Sequence, residues 1–157
     1  VDAVSRREFW DLLDSLKESG LTILVSTPYM DEASRCDRVA LMQKGQILAI
    51  DAPAAIGTRF SHQLFGVRAE KRYALIQALR SYPHASSVYP FGEVLHYSDL
   101  RNDMPAGEIE DQVTAYLREK GFDDARVKRI EPGIEDAVME LMGSPEEIAA
   151  AGGGPSR

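Results

Sequence analysis

Three histidines, one cysteine and the acidic pairs Asp31-Glu32 and Asp123-Asp124 are the side chains taken first for chemistry in this sequence of 157 residues. His62, His84 and His96 share no ligand spacing of the H-x-x-x-H kind, and Cys36 has no second sulfur to join it, so no zinc quartet can be assembled. Each histidine reads as a solvated or capping residue. Cys36 falls on a short helical segment beside Asp37, with no cation placed to stabilise a thiolate, and reads as a small, half-buried thiol rather than a nucleophile. No G-x-S-x-G occurs. Asp31-Glu32 falls where the first turn of a helix favours acid, and Asp123-Asp124 reads as a loop pair near a helix end. No Gly-Lys dipeptide occurs anywhere, so a G-x-x-x-x-G-K-S/T loop cradling phosphates with backbone amides and a lysine is impossible here.

Composition narrows the classes further. Hydrophobic residues make up 44% and charged residues 27%, ordinary globular usage that excludes a wholly disordered chain, a collagen and a coiled-coil rod. Lys plus Arg is 18 and Asp plus Glu is 25, so the net charge is 18 − 25 = −7. That field repels phosphate backbones and anionic lipid, which speaks against nucleic acid as a partner. It says nothing against a nucleotide, which needs only a local cradle. A single cysteine forbids an intramolecular disulfide and fits a reducing compartment. No run of apolar residues is long enough to span a membrane. The start, Val1-Asp2-Ala3-Val4-Ser5-Arg6-Arg7, carries no apolar h-region and no initiator methionine, and is expected to be the cut edge of a longer protein.

The elements that must position these residues fall into two styles. Ser5-Arg6-Arg7-Glu8 fits a capping box. Phe9, Leu12, Leu13 and Leu16 then form one helical stripe ending at Gly20, a C-cap residue. Leu21-Thr22-Ile23-Leu24-Val25 does not alternate and predicts a strand buried on both faces, as in a parallel sheet. Thr27 and Pro28 fit N-cap and N1 of a short helix over 29–36. Strands over 38–42 and 46–50 form a hairpin about Lys44-Gly45, and Asp51-Ala52-Pro53 opens another short helix toward Phe60. From Ser61 onward the sequence predicts strand 64–70, helix 73–82, a strand pair 86–89 and 93–98 about Pro90-Phe91-Gly92, and a polar loop over 102–107. A helix with Ile109, Val113, Tyr116 and Leu117 on one stripe, strand 125–130, and a last helix with Ile134, Ala137, Val138, Leu141 and Met142 complete it. The order βαββαβ plus a terminal helix is the split-βαβ, ferredoxin-like pattern. The small, polar run over 143–157 reads as a flexible tail.

Val25-Ser26-Thr27-Pro28-Tyr29-Met30-Asp31-Glu32-Ala33 through Cys36-Asp37-Arg38-Val39-Ala40 closely resembles the switch, or H-loop, segment of ATP-binding-cassette (ABC) ATPases. Residues 1–7 resemble the end of the D-loop of that family, and Lys44-Gly45-Gln46-Ile47 to Asp51-Ala52-Pro53 resembles the hairpin that closes its nucleotide-binding domain. Pro132-Gly133-Ile134-Glu135-Asp136-Ala137-Val138-Met139-Glu140-Leu141 resembles the ending of the accessory domain in drug and antibiotic exporters. The resemblance implies an α/β fold. Residues 1–60 would be the C-terminal part of a nucleotide-binding domain, 61–142 a ferredoxin-like α+β accessory domain, and 143–157 a tail.

It further implies that the full-length protein uses ATP and Mg²⁺, pairs with a second ATPase subunit and drives a membrane permease from the cytoplasmic side. The family's Walker A, signature and Walker B segments precede the D-loop, so this portion by itself is expected to hold no cofactor and to hydrolyse no ATP. Asp2 matches the D-loop aspartate. Pro28 falls where the family carries its switch histidine, so the ATP site is either degenerate or compensated elsewhere. A ligand-sensing or dimerisation module built on the ferredoxin-like half is the competing reading. RNA binding ranks below both, since 93–98 reads Glu-Val-Leu-His-Tyr-Ser and lacks the expected stacking aromatics.

Overall fold

A computed structural model describes residues 3–142. Helix α1 (Ala3–Glu18) is followed by a segment without regular structure and the single turn α2 (Met30–Ala33). The hairpin strands β1 (Val39–Gln43) and β2 (Gln46–Asp51) and the short α3 (Pro53–Gly57) complete the first part. The second part runs β3 (Gln63–Arg68), α4 (Arg72–Arg80), β4 (Ala85–Phe91), β5 (Val94–Asp99), α5 (Ala106–Glu119), β6 (Arg126–Arg129) and α6 (Ile134–Met142). The expected 143–157 tail lies outside the described residues. Among the described residues no helix is long and apolar enough to cross a membrane.

The molecule is a mixed α/β structure with two antiparallel sheets, a hairpin of β1 and β2 and a four-stranded sheet in the order β4-β5-β3-β6. Lys44 (φ 50°) and Gly45 (φ 77°) both take the left-handed conformation that a two-residue hairpin turn requires, which is why glycine stands at the second. Period-two alternation sends Phe65, Val67, Leu95, Tyr97, Val88 and Val127 to one face of the larger sheet. Leu75 and Leu79 of α4 and Ile109, Val113 and Leu117 of α5 cover that face and close a core. The β4–β5 ladder runs through Pro90 and Phe91, so the turn shrinks to Gly92-Glu93. Pro90 is tolerated because β4 is an edge strand.

Helix α6 joins a second core. Ile134, Ala137 and Val138 pack with Ala33, Leu41, Ala49 and Ile56, which come from α2, the hairpin and α3.

Several local expectations are corrected. Residues 21–25 form no strand, and Leu24 is 98% exposed. An extended segment becomes a strand only beside another strand, and none lies alongside among the described residues. Ser5 lies inside α1 rather than capping it. Phe9, Leu12 and Leu16 are exposed, and among the described residues of that helix the buried one is Trp10. The N-cap of α2 is Tyr29 rather than Thr27, because the Thr27 hydroxyl accepts the Tyr29 N–H and leaves the helix amides alone.

Candidate functional site

Pro28 stands at an exposed bend between the irregular segment 21–27 and α2. Its neighbours fasten the bend. Tyr29 N–H donates to Thr27 Oγ1 at 3.1 Å, and Thr27 Oγ1 donates to Glu32 Oε2 at 2.6 Å. Arg6 of α1 places Nε 3.4 Å from Glu32 Oε1, and its guanidinium lies 4.9 Å from the centre of the Tyr29 ring. Helix α1 therefore braces the loop from one side. Arg35 stacks on Trp10 at 5.2 Å and reaches Asp14 at 3.3 Å, and Lys17 Nζ meets Asp37 at 2.7 Å. These ion pairs are largely exposed and individually weak. Their combined effect is to fix register between α1 and the turn after α2.

This arrangement offers little chemistry of its own. Proline has neither an N–H nor a side-chain donor, and the Glu32 carboxylate is occupied by Thr27 and Arg6. Cys36 Sγ lies 3.7 Å from the Glu32 carbonyl oxygen. Burial pushes its thiol pKa up, and the carboxylates of Asp37 and Glu32 push it further, so the sulfur stays protonated. Asp2, the other residue singled out by sequence, lies outside the described residues. Among the described residues no group of three or more His, Cys, Asp or Glu could hold a metal ion. The chain also lacks the Gly-Lys of a phosphate cradle.

The histidines behave differently from one another. His84 packs edge-on against Tyr82 at 5.4 Å. His62 Nε2 lies 3.8 Å from Glu140, while its Nδ1 is buried without a hydrogen-bond partner. His96 corrects the expectation of a solvated or capping residue. It is half-buried on β5, stacked on Phe91 with ring centres 4.2 Å apart, and its Nδ1 lies 2.6 Å from Asp136 Oδ1. Forty residues separate that pair in sequence, and neither type nor spacing points to it.

A buried polar network also escaped sequence reasoning. Asp99 is fully buried, accepts the Tyr97 hydroxyl, and takes both Nε and a terminal nitrogen of Arg101 at 2.8 Å. Burial alone would raise the Asp99 carboxyl, but the hydrogen bonds from Arg101 and Tyr97 outweigh it and hold the group below its ordinary range. Burial and the bond to Asp99 push Tyr97 far above the usual phenol range. Arg101 also donates to Gln112 Oε1 at 2.6 Å, tying the 100–105 loop to α5. The network is structural, since every partner belongs to the fold.

No family model matches the chain. Among curated proteins it is 45% identical over 145 residues to the probable multidrug ABC transporter ATP-binding protein of Escherichia coli, covering 91% of this chain and 24% of that protein. It is 29% identical to the Nod factor export ATP-binding protein I of Neorhizobium galegae, covering 94% of this chain and 40% of that one. It is 25% identical to the linearmycin resistance ATP-binding protein of Bacillus subtilis, covering 91% and 46%. The chain therefore spans between a quarter and a half of the length of these relatives. Over nine-tenths of its residues the chain is thus homologous to ABC-transporter ATP-binding proteins.

Proposed function

We propose that the chain is the C-terminal portion of the ATP-binding subunit of an exporter, coupling ATP hydrolysis to transport in the full-length protein. The observation that carries this reading is the 45% identity over 145 residues to a probable multidrug transporter subunit. In this reading residues 1–60 complete a nucleotide-binding domain and 61–142 form the accessory domain. The strand order β4-β5-β3-β6 with all neighbours antiparallel supports a ferredoxin-like arrangement for the latter. ATP and Mg²⁺ would be held by the part of the protein that carries Walker A, signature and Walker B. A second ATPase subunit and a membrane permease would be its partners, at the cytoplasmic face of the membrane. Pro28 occupies the switch position as a degenerate H-loop residue, and Asp2 the D-loop position.

Two measurements test the reading together. The isolated chain should show no ATPase activity above background, and calorimetric titration with Mg-ATP should show no affinity tighter than millimolar. Joined to the rest of its open reading frame, the protein should hydrolyse ATP in the presence of its permease. Micromolar binding to the isolated chain, or an upstream frame without Walker A and signature segments, would overturn the proposal.

A further inference from the structure

We propose that α6 is a strap that couples the hairpin unit carrying the Pro28 loop to the four-stranded sheet, anchored on β5 through Asp136–His96 and on the connecting segment through Glu140–Ser61. In sequence α6 follows β6 and would count with the sheet. In space its apolar face closes the other core. Of the seven buried residues in that cluster, Ile134, Ala137 and Val138 come from α6, and Met30 of α2 and Met142 pack against them. A two-stranded hairpin is marginal without such a cover.

The polar anchors explain why α6 is also fixed to the sheet. Asp136 is only 5% exposed. Its Oδ2 accepts the Gly133 N–H at 2.8 Å, which caps the first turn of α6, while its Oδ1 meets His96 Nδ1 at 2.6 Å. One carboxylate thus starts the helix and ties it to β5. Stacking on Phe91 fixes the imidazole plane. One turn further on, Glu140 accepts the N–H of Ser61 at 2.9 Å and also its hydroxyl, clasping the segment between α3 and β3.

Close backbone contacts add to this. A Cβ on Gly57 of α3 would stand 3.1 Å from the Pro132 carbonyl oxygen, and one on Gly66 of β3 would stand 3.4 Å from Ile130 Cγ2. The lead-in to α6 is therefore pressed between α3 and the back of the sheet. A rigid helix held at both ends transmits displacement, so a shift of α2 or the hairpin is felt at His96.

Hydrogen exchange on the whole 157-residue chain tests the strap, with no nucleotide involved. His96→Phe keeps a ring on Phe91 and deletes the bond to Asp136. It should speed exchange at the Ala40 and Ile50 amides of the hairpin by roughly tenfold or more, the scale of one charge-assisted hydrogen bond. Amides of Val113 and Leu117 in α5 should change less than about twofold. Gly57→Ala, which touches neither anchor, should displace the His96 ring resonances. If His96→Phe unfolds the sheet as well, Glu140→Gln serves in its place with the same expected pattern at the hairpin. Hairpin protection equal to that of the parent, or His96 resonances indifferent to Gly57→Ala, would overturn the proposal.

Discussion

Helix α1 ends on Gly20 and helix α5 on Gly121, and the two ends are built alike. Gly20 (φ 95°) donates to the Lys17 carbonyl and Leu21 to that of Leu16. Gly121 (φ 87°) donates to the Arg118 carbonyl and Phe122 to that of Leu117. Both are Schellman caps, and each is followed by a large apolar residue. At α5 that residue, Phe122, is 6% exposed and belongs to the sheet core, and the chain goes on to pair as β6. At α1 the equivalent Leu21 is 54% exposed and the chain runs on unpaired to Thr27. Identical local chemistry thus leads into a packed core in one region and to an open apolar strip in the other. Helix exits are written locally, and burial is decided by what else is present to be packed against.

The largest expected difference between the regions is in core truncation. Phe65→Ala should cost about 3–5 kcal/mol in urea unfolding, because a fully buried ring leaves a cavity. Leu24→Ala, at a side chain 98% exposed, should change stability by less than about 0.5 kcal/mol. Hydrogen exchange should rank the same way, with 109–117 protected above 21–25. A large loss at Leu24 would mean that the strip is covered in solution.

The buried Asp99–Arg101 pair gives the next effect. Arg101→Met should cost about 3 kcal/mol, since it leaves a buried carboxylate without its cation. The sign with pH follows from the lowered Asp99 carboxyl. In the parent its contribution is complete above the unfolded carboxyl value of about 4 and is lost as pH falls through the lower folded value. With the guanidinium gone, only the Tyr97 hydroxyl and the N–H of residue 101 still oppose burial, and the carboxyl rises. The stability gap between the two proteins should be widest at neutral pH and narrow on acidification, and a constant gap would contradict the assignment.

What could be read from the sequence follows the same division. The stripe Ile109, Val113, Leu117 was legible and is fully buried, because α5 is amphipathic and its sheet is encoded in the same stretch of chain. The stripe Phe9, Leu12, Leu16 was equally clear and is exposed, because periodicity reports which face a helix can bury and not whether anything covers it. The helical character of α6 was legible, and its destination was not, since the partners Leu41, Ala49 and Ile56 lie far away in sequence. Asp99, Arg101, His96 and Asp136 were illegible for the same reason: a buried pair is a property of two elements meeting. Pro28, expected at the first position of a helix, stands instead at a bend two residues before α2.

That bend supplies the third prediction, for the full-length protein. Pro28→His introduces a side-chain donor at the proposed switch position. A hydrogen bond to a charged group is worth roughly 1.5–3 kcal/mol. If about 2 kcal/mol of it is realised only in the transition state, ATP turnover rises roughly 30-fold. Loss of the proline costs about 0.4–1 kcal/mol of folding stability, so rates must be compared at equal folded fraction. An unchanged rate would mean that the missing histidine is already compensated elsewhere.

The smallest effect tests the comparison most directly. Alanine at either helix-ending glycine must hold a left-handed backbone, at a cost of about 1–2 kcal/mol for an L residue. An added Cβ meets nothing within 4 Å at Gly20 or at Gly121, so sterics do not separate the two sites. What separates them is the freedom of the next segment. Beyond Gly121 the chain is held by Phe122 in the core and by the β3–β6 ladder, so the cap cannot relax and Gly121→Ala should lower global stability by the full amount. Beyond Gly20 the segment is unpaired, and the last turn of α1 can unwind instead of enduring the strain. The loss then stays local, at the bonds from Gly20 and Leu21, and Gly20→Ala should shift the urea midpoint by the equivalent of less than about 0.5 kcal/mol. Equal shifts at the two glycines would show that residues 21–27 are fastened as firmly as β6.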